Sequence, residues 1–226
     1  LAGKVGERSS WEVHPSQGAI RCRFLSACSP ASGLSGVCQT PSKMHGRRFR
    51  STSICSRISI FIDELFGWDA PVRSRSRVRT KPKRYFADPS LAAALLLLSP
   101  DSLLADGQTF GLVFENLCIR DLKVYAQAMD PSMPAAVYYY RDDSGLEADA
   151  VIETLDGRWA AFEFKLSEEK VPDAVKSLRR LRKKVAENPR AQGRPPEFLC
   201  VITGIGSYAR EVEEGIYVVP LRALAD

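Results

Sequence analysis

The stretch that most constrains the fold of this chain is Glu147–Lys165, EADAVIETLDGRWAAFEFK. On either side of Asp156-Gly157, a dipeptide typical of tight turns, apolar residues alternate with polar or small ones. Ala148, Ala150 and Ile152 mark one face of the first segment, because side chains alternate between the two faces of a strand. The stretch therefore predicts a β-hairpin.

The turn of this hairpin decides whether its charged residues share a face. A strict two-residue turn would place Asp149 opposite Phe164 and set Asp149 and Glu163 on opposite sides of the sheet. A three-residue or bulged turn, with Gly157 at positive φ, would pair Asp149 with Lys165 and bring the carboxylates and the lysine together. We predict the second arrangement, because only that one gathers the polar groups.

Two carboxylates beside a lysine suit a hard divalent cation. Carboxylate oxygens are preferred ligands of Mg²⁺ and Mn²⁺, and these ions keep waters that can take part in hydrolysis. Asp149 and Glu163 are therefore candidate ligands, and Lys165 is a candidate for orienting or activating the attacking water. The alternative is an exposed hairpin whose Glu and Lys form a surface ion pair worth little.

The spacing of these three residues, D-x13-E-x-K, is similar to that of the PD-(D/E)XK nuclease superfamily. In that superfamily a carboxylate on one strand and an E-x-K on the next hold a divalent metal at the scissile phosphate. The resemblance implies metal-dependent hydrolysis of a phosphodiester, with Asp149, Glu163 and Lys165 as catalytic residues.

The rest of the chain supplies elements for an α/β fold around this hairpin. Hydrophobic period and breaker residues predict a helix, a strand, the two hairpin strands, a helix and two further strands. This order is that of the αβββαβ core of the restriction-endonuclease-like fold, with a mixed sheet and a site on its second and third strands. The predicted elements are Thr109–Met129, Ala135–Arg141, Glu147–Lys165, Pro172–Glu187, 198–203 and 216–220. The first of the two last strands is nearly all apolar, so we expect it to be covered on both faces.

Composition divides the chain into three parts. Residues 1–57 are rich in Ser, Arg, Gly and Pro and lack a regular period, so we expect little structure there. Residues 58–105 are expected to form a small, partly helical and extended linker with a basic track. It would include an amphipathic helix over Arg57–Gly67 and a buried helix over Ser90–Leu98. Residues 106–226 form the predicted nuclease-like domain.

Glu115 is a further acidic candidate, on the predicted helix over Thr109–Met129. It projects from an apolar stripe, where charged groups rarely lie without a partner. The alternative is a position at the rim of that stripe, from which the carboxylate reaches solvent. The neighbours at three and four residues along the helix are Gly111, Leu112, Cys118 and Ile119.

The net charge of +5 is concentrated in particular segments. Residues 73–84, RSRSRVRTKPKR, would display a row of guanidinium groups if extended, and the predicted helix Pro172–Glu187 has a basic face. Either segment could lie along a phosphate backbone. The alternatives are a charged edge strand and a solvated helix face. The candidate nucleic-acid contacts are Arg73, Arg75, Arg77, Arg79, Lys81, Lys176, Arg179, Arg180 and Lys183.

Longer phrases of the chain resemble domain of unknown function 4143, a C-terminal domain that follows an AAA-type P-loop ATPase in many bacterial and archaeal proteins. The resemblance runs from about residue 58 to the C-terminus. It makes Glu115 the helical carboxylate, and Asp149 with Glu163 the other expected ligands of Mg²⁺ or Mn²⁺. It makes Glu163 and Lys165 the E-x-K pair. The phrases are KPKRYFADPSLAAALL, GLVFENLCIRDL, YYYRDDSGLEADAVIETLDGRWAAFEFK and GIYVVPLRAL.

The same resemblance sets expectations for partners. No G-x4-G-K-[ST] sequence occurs in the chain, so we expect no ATP site in it. The ATPase part is either absent, or belongs to a longer protein of which this chain, beginning with Leu, is a piece. DNA and an ATPase module or another protein are the expected partners of a Mg²⁺-dependent nuclease. The alternatives are an inactive module that binds nucleic acid or a protein partner, and a nonfunctional truncated product.

The sequence contains no recognisable membrane span or signal peptide, and this bears on the cellular compartment. The most apolar run, residues 91–98, is too short to cross a bilayer, and no signal peptide is recognisable at the start. Four of the six cysteines lie in the first quarter of the chain and follow no zinc spacing that we recognise, and the other two, Cys118 and Cys200, are expected to be buried thiols. We therefore expect a reducing cytoplasm and no membrane partner.

Overall fold

The structure, a computed structural model, describes residues 11–13, 20–22, 61–68, 81–128, 135–188 and 194–224. For 11–13 and 20–22 it describes the backbone alone. The strands are β1 (Trp11–Val13), β2 (Ile20–Cys22), β3 (Ile62–Leu65), β4 (Lys83–Phe86), β5 (Ala135–Arg141), β6 (Glu147–Thr154), β7 (Trp159–Lys165), β8 (Phe198–Thr203), β9 (Arg210–Glu213) and β10 (Ile216–Pro220). The helices are α1 (Pro89–Leu95), α2 (Pro100–Ala105), α3 (Gly107–Ala128) and α4 (Val171–Ala186).

Six strands form one mixed sheet in the order β5-β6-β7-β8-β10-β9. The pairs β5–β6, β6–β7 and β10–β9 are antiparallel, whereas β7–β8 and β8–β10 are parallel. The predicted α/β class with a mixed sheet is confirmed. From α3 onward the predicted elements occur in the predicted order, with one addition, the short charged strand β9 at the sheet edge. Charged side chains suit an edge strand because they discourage pairing with another chain.

The two long helices cover opposite faces of the sheet. Side chains of α4, such as Leu178, share one core cluster with Leu199 and Val201 of β8. Side chains of α3, such as Ile119, share the other cluster with Ile202. Alternate residues of β8 thus enter different clusters, so this strand is buried on both faces, as its apolar sequence predicted.

The predicted helix over Arg57–Gly67 is wrong for the residues that the structure describes. Ile62–Leu65 is the strand β3, which pairs antiparallel with β4 and sets Asp63 across from Tyr85. The helical period in this segment is only about two turns long, and helices that short are marginal without tertiary support. Pairing with β4 supplies the backbone hydrogen bonds instead.

Residues 66–68, which follow β3, form backbone hydrogen bonds with β5 at the edge of the main sheet. The backbone N–H of Trp68 donates to the Tyr139 carbonyl at 2.6 Å, and that of Tyr139 donates to the Phe66 carbonyl at 3.0 Å. The Trp68 ring is almost fully buried and lies 4.9 Å from the ring of Trp159, centroid to centroid. The region before residue 106 therefore contributes to the core of the sheet domain.

The helix predicted over Ser90–Leu98 forms as α1, but it is not buried. Asp88 caps it by accepting a hydrogen bond from the Ser90 N–H at 2.8 Å. Of its residues only Pro89 and Ala92 are buried, and Leu97, just past its end, is 90% exposed. The apolar run therefore predicts the helix correctly and its burial wrongly. This short helix lies at the edge of the fold, and one of its faces has no neighbour among the described residues.

The first 57 residues, for which little structure is predicted, contain the short antiparallel pair β1–β2. The rest of that segment lies outside the described residues, as do residues 69–80, which include four predicted nucleic-acid contacts: Arg73, Arg75, Arg77 and Arg79. In the part of the chain that the structure describes, no helix has the length and apolar character needed to cross a membrane.

Asn116 fixes β4 to α3, and it is not among the predicted functional residues. Its side chain is buried, its Oδ1 accepts from the Phe86 N–H at 3.0 Å, and its Nδ2 donates to the Phe86 carbonyl at 2.8 Å. Both backbone groups of one strand residue are thereby satisfied by one amide. The preceding residue on the helix is Glu115, so the same contact places β4 beside that carboxylate.

We predict that Asn116→Ala lowers the free energy of unfolding by about 2 kcal/mol, because two partly buried backbone groups lose their partner. Chemical denaturation measures the change. The matched control is Gln127→Ala on the same helix, which is exposed and should change stability little. Equal effects of the two substitutions would contradict the structural role of Asn116.

Candidate functional site

The turn between β6 and β7 has the predicted form. Gly157 has a φ of +82°, and its N–H donates to the Thr154 carbonyl at 2.9 Å. The Thr154 N–H donates in turn to the Arg158 carbonyl at 2.9 Å, which leaves a three-residue loop. A glycine is favoured here because other residues rarely adopt positive φ.

The register that follows from this turn differs from the prediction by two residues. Ala150 pairs with Phe162 and Glu153 with Trp159. Continued by one residue, this register sets Asp149 across from Glu163. The predicted pairing of Asp149 with Lys165 is therefore wrong. The prediction that the hairpin register sets Asp149 and Glu163 on the same side of the sheet is confirmed.

A β-bulge in β6 lies at Asp149. Tyr138 pairs with Val151 and Tyr140 with Ala148, so β6 carries one residue more than β5 between these pairs. Ala148 consequently packs into the α4-side core together with Val151, whereas Ala150 packs into the α3-side core. The predicted single face for Ala148, Ala150 and Ile152 is wrong at Ala148, since the bulge interrupts the alternation.

Asp149, Glu163 and Lys165 converge at the end of the hairpin. Lys165 Nζ donates to Glu163 Oε2 at 2.7 Å and lies 3.8 Å from Asp149 Oδ2. Asp149 Oδ2 accepts from the Phe164 N–H at 2.8 Å, and the charge of Asp149 acts on the Glu163 carboxyl group. Glu163 is 5% exposed. The hairpin thus gathers two carboxyl groups and one ammonium in a site with little access to water.

The electrostatics of this cluster follow from its burial. The pKa of Glu163 is raised to about 8, first by burial and then by the neighbouring Asp149 charge, against the opposing effect of Lys165. Burial also raises the pKa of Asp149, and the Glu115 charge adds to that shift. Burial alone would lower the pKa of Lys165, but the charges of Glu163 and Asp149 outweigh it and the pKa is raised. Without a bound cation, the acid pair therefore retains a proton near neutral pH and Lys165 remains an ammonium.

Glu115 reaches this region from α3, but its oxygens have partners of their own. Its Oε1 accepts from Tyr85 Oη at 2.6 Å and from Lys83 Nζ at 3.1 Å, both on β4. Its charge acts on both Asp149 and Lys165. The carboxylate is partly buried, and the side chains of Lys83 and Tyr85 hold it.

The three predicted ligands do not form a closed cluster. In the described part of the chain, no three Asp, Glu, His or Cys side chains are grouped closely enough to hold a metal ion. Asp149 and Glu163 are together, and Glu115 is held apart by Lys83 and Tyr85. Mg²⁺ is commonly bound by one or two protein carboxylates and retains several waters. The Asp149–Glu163 pair therefore has the donor chemistry for such an ion.

Some of the predicted nucleic-acid contacts form ion pairs within the protein, and others do not. On α4, Arg179 forms an ion pair with Glu213, and Lys183 lies 3.7 Å from Glu187. Lys176 and Arg180 are exposed, with no ion pair among the described residues. On the 73–84 track, Lys81 is exposed, whereas Lys83 and Arg84 pair with Glu115 and Glu64. The last two residues of that track therefore form ion pairs with acidic residues of the fold.

Asp142, in the Y-R-D phrase before β6, has a structural role that the sequence did not reveal. It accepts hydrogen bonds from the Ser144 N–H at 2.8 Å and the Leu146 N–H at 3.1 Å, and it also contacts Lys184 and Tyr140. Burial opposes its charge, but these contacts hold the pKa of the Asp142 carboxyl well below its usual range. Asp142 thus closes the β5–β6 turn and ties it to α4.

One buried polar atom lies next to the cluster in the sheet. Thr203 pairs in register with Lys165 on the neighbouring strand, is fully buried, and has no hydrogen-bond partner for its Oγ1 among the described residues. The sequence gives no sign of this, because the strand pattern of 198–203 reads as apolar core.

Comparison with known proteins gives one match. A family model described as Domain of unknown function (DUF4143) matches residues 110–224, about half of the chain, including α3, the hairpin and β8 to β10. No curated protein and no solved structure matches the chain. All four predicted catalytic residues, Glu115, Asp149, Glu163 and Lys165, lie inside the matched range, and Lys83 with Tyr85 lies outside it.

We predict that the free energy of unfolding falls as pH rises from about 4.3, the usual glutamate pKa, toward about 8. Over this window the folded protein holds a proton that the unfolded chain has released, so raising the pH favours unfolding. Below the window both states are protonated, and the stability contribution is fully present.

Glu163→Gln should remove most of this slope and stabilise the protein at pH 8 by at least about 1.4 kcal/mol, the equivalent of one pKa unit. Denaturation at a series of pH values measures it. Glu187→Gln, at the exposed end of α4, is the matched control and should leave the slope unchanged. Identical pH profiles for wild type and Glu163→Gln would contradict the assignment of the proton to this pair.

Proposed function

The chain belongs to the DUF4143 family, and from the acid–lysine cluster on its hairpin we propose that the domain is a metal-dependent nuclease. The observation that carries the proposal is the convergence of Asp149, Glu163 and Lys165 in a buried site, built from a three-residue turn and a bulge. We place the domain in the PD-(D/E)XK superfamily, with a restriction-endonuclease-like core. Its element order and its D-x13-E-x-K spacing support that placement.

Asp149 and Glu163 are the residues that would hold Mg²⁺ or Mn²⁺. Both carboxyl groups have raised pKa values, and a cation that replaces their shared proton would remove the repulsion between them. When bound, the ion would neutralise charge on the scissile phosphate and supply a water of lowered pKa. Glu115 is the candidate third ligand, and its carboxylate oxygen is now bound to Lys83 and Tyr85.

Lys165 acts in this proposal as a donor. Its raised pKa keeps the ammonium protonated, so it orients the attacking water or stabilises negative charge developing on the phosphate, and it does not remove the proton of the water. The Nζ is held by Glu163 at 2.7 Å, which fixes its direction before a substrate arrives. In the hydrolysis, the water oxygen would bond to phosphorus and lose its proton to solvent, while the bond from phosphorus to the leaving oxygen breaks and that oxygen takes up a proton from solvent.

The substrate we propose is DNA. Lys176 and Arg180 on the exposed side of α4 are free of ion pairs among the described residues and suit phosphate contacts. Phosphate contacts position a nucleic acid without reading its sequence. An ATPase module as partner remains part of the proposal, supported by the resemblance of the chain to domains that follow such ATPases.

We predict that the protein cleaves linear DNA in the presence of Mg²⁺ or Mn²⁺ and that Lys165→Met and Glu163→Gln each lower the rate by about a hundredfold or more. Gel-resolved cleavage of linear, nicked and single-stranded DNA measures this. Arg120→Met is the control, because that guanidinium pairs with its neighbour Asp121, away from the cluster. Cleavage that survives Lys165→Met unchanged would refute the nuclease assignment.

A second candidate function is a nucleic-acid-binding module without catalysis. It is favoured by one observation, that Lys165 and Lys83 already form ion pairs with Glu163 and Glu115 without a metal. Such a module would bind DNA but not Mg²⁺. Calorimetry with Mg²⁺ and Mn²⁺ separates the two candidates.

Either candidate requires the basic face of α4. We predict that Lys176→Met combined with Arg180→Met weakens DNA binding uniformly across sequences and reduces the slope of log affinity against log salt by roughly 2, one unit per lost phosphate contact. Fluorescence anisotropy at several salt concentrations measures the slope. Arg120→Met again serves as control, and an unchanged slope in the double variant would remove this face from the DNA-binding surface.

A further inference from the structure

Lys83 and Tyr85 project from β4 onto the acidic site, although β4 lies outside the residues that match the family model. Lys83 Nζ is 3.1 Å from Glu115 Oε1, and Tyr85 Oη donates to the same oxygen at 2.6 Å. The Lys83 and Glu115 side chains are 29% and 25% exposed, so the ion pair is largely shielded from water. The contact joins positions 32 residues apart and is built into the fold.

The surroundings hold Lys83 in this place. Its ammonium lies 5.4 Å from the centroid of the Tyr139 ring, a cation–π distance. The Tyr139 hydroxyl donates to the Lys81 carbonyl at 2.7 Å, which fixes the chain just before β4. Asn116, next to Glu115, binds both backbone groups of Phe86 at the other end of that strand. Both ends of β4 are therefore anchored, and Lys83 is presented to Glu115 by a fixed strand.

The charge of Lys83 also acts on Asp149. It favours the ionised form of Asp149, which the Glu115 charge disfavours. Three carboxyl groups and two lysines are thus in electrostatic contact: Glu115, Asp149, Glu163, Lys83 and Lys165. A divalent ion entering this group must compete with an ammonium for Glu115 and is repelled by the same ammonium.

We propose that Lys83 is an internal cation that occupies Glu115 in place of a metal ion and thereby sets the metal affinity of the site. Tyr85 is the positioning residue that holds the Glu115 carboxylate toward Lys83. This inference rests on the proposed metal site, and it adds a residue from outside the family-matching region that controls how readily the metal enters. Removing the Lys83 charge frees Glu115 as a third ligand and removes the repulsion.

The expected result is that Lys83→Met raises the affinity for Mn²⁺ on the order of tenfold, the scale for removing one charge several Å from a divalent ion in a partly solvated site. Mn²⁺ titration followed by calorimetry and by loss of the free-ion electron paramagnetic resonance signal measures it at fixed pH and salt. Arg84→Met, one residue along β4 and paired with the exposed Glu64, is the matched control and should change the affinity less than twofold.

The action of Lys83 through Glu115 is tested by a double-mutant cycle. Glu115→Gln alone should lower Mn²⁺ affinity, because the Lys83 charge then loses its ion-pair partner. In the Glu115→Gln background the gain produced by Lys83→Met should be smaller, because only the relief of repulsion remains. Lys83→Gln, which keeps a hydrogen-bond donor for Glu115 without the charge, should raise the affinity in the same direction if Lys83→Met is too unstable to study.

The outcomes separate this inference from the proposed function. Mn²⁺ binding by wild type with no gain in Lys83→Met or Lys83→Gln overturns the role of Lys83 and leaves the metal site standing. An equal gain in Arg84→Met also overturns it, since general charge would then be the cause. Binding by the Lys83 variants alone supports the inference, and no binding by any variant overturns both the metal site and the role assigned to Lys83.

Discussion

The interaction on which the site depends is the contact of one lysine with two carboxyl groups, one buried and one largely buried. Lys165 Nζ lies 2.7 Å from Glu163 and 3.8 Å from Asp149, in surroundings where an isolated charge is costly. The end of β7 that carries Lys165 is fixed by the next parallel strand, because the N–H of Gly204 donates to the Lys165 carbonyl at 3.0 Å. These contacts restrict the positions that the three side chains can take.

Two local irregularities produce the convergence, and each acts on a different pairing. The three-residue turn at Gly157 sets the parity between β6 and β7, so that Asp149 comes level with Glu163. The bulge at Asp149 acts on the pairing of β6 with β5 and turns this residue relative to Ala148. A regular hairpin on a regular sheet would satisfy more backbone hydrogen bonds and would lack this arrangement.

The sequence predicted what is local and missed what depends on distant partners. The hairpin, the positive φ of Gly157 and the long helix α3 follow from turn chemistry and hydrophobic period, which a short window contains. The register error has a local cause, because a three-residue loop closed by Thr154 and Arg158 pairs Asp149 with Glu163 and not with Lys165. The bulge depends instead on how β5 packs alongside, and no short window contains that information. The segment at Ile62 was misread for the same reason, since its strand exists only through β4. The pairing of Lys83 with Glu115 could not be read from either neighbourhood, because the two residues are brought together by the docking of β4 on α3.

Charge balance links the metal-free site to its proposed activity. With Glu115, Asp149 and Glu163 ionised, the two lysines leave one excess negative charge, and the proton retained by the acid pair cancels it. Replacing that proton with a divalent cation would leave the same group of side chains with an excess positive charge. A phosphodiester carries one negative charge, so it would be attracted to the metal-loaded site and not to the protonated one. Under the proposed function, these five side chains would be neutral as a group when no metal is bound and would attract DNA when one is, and the raised pKa of Glu163 would link the two states.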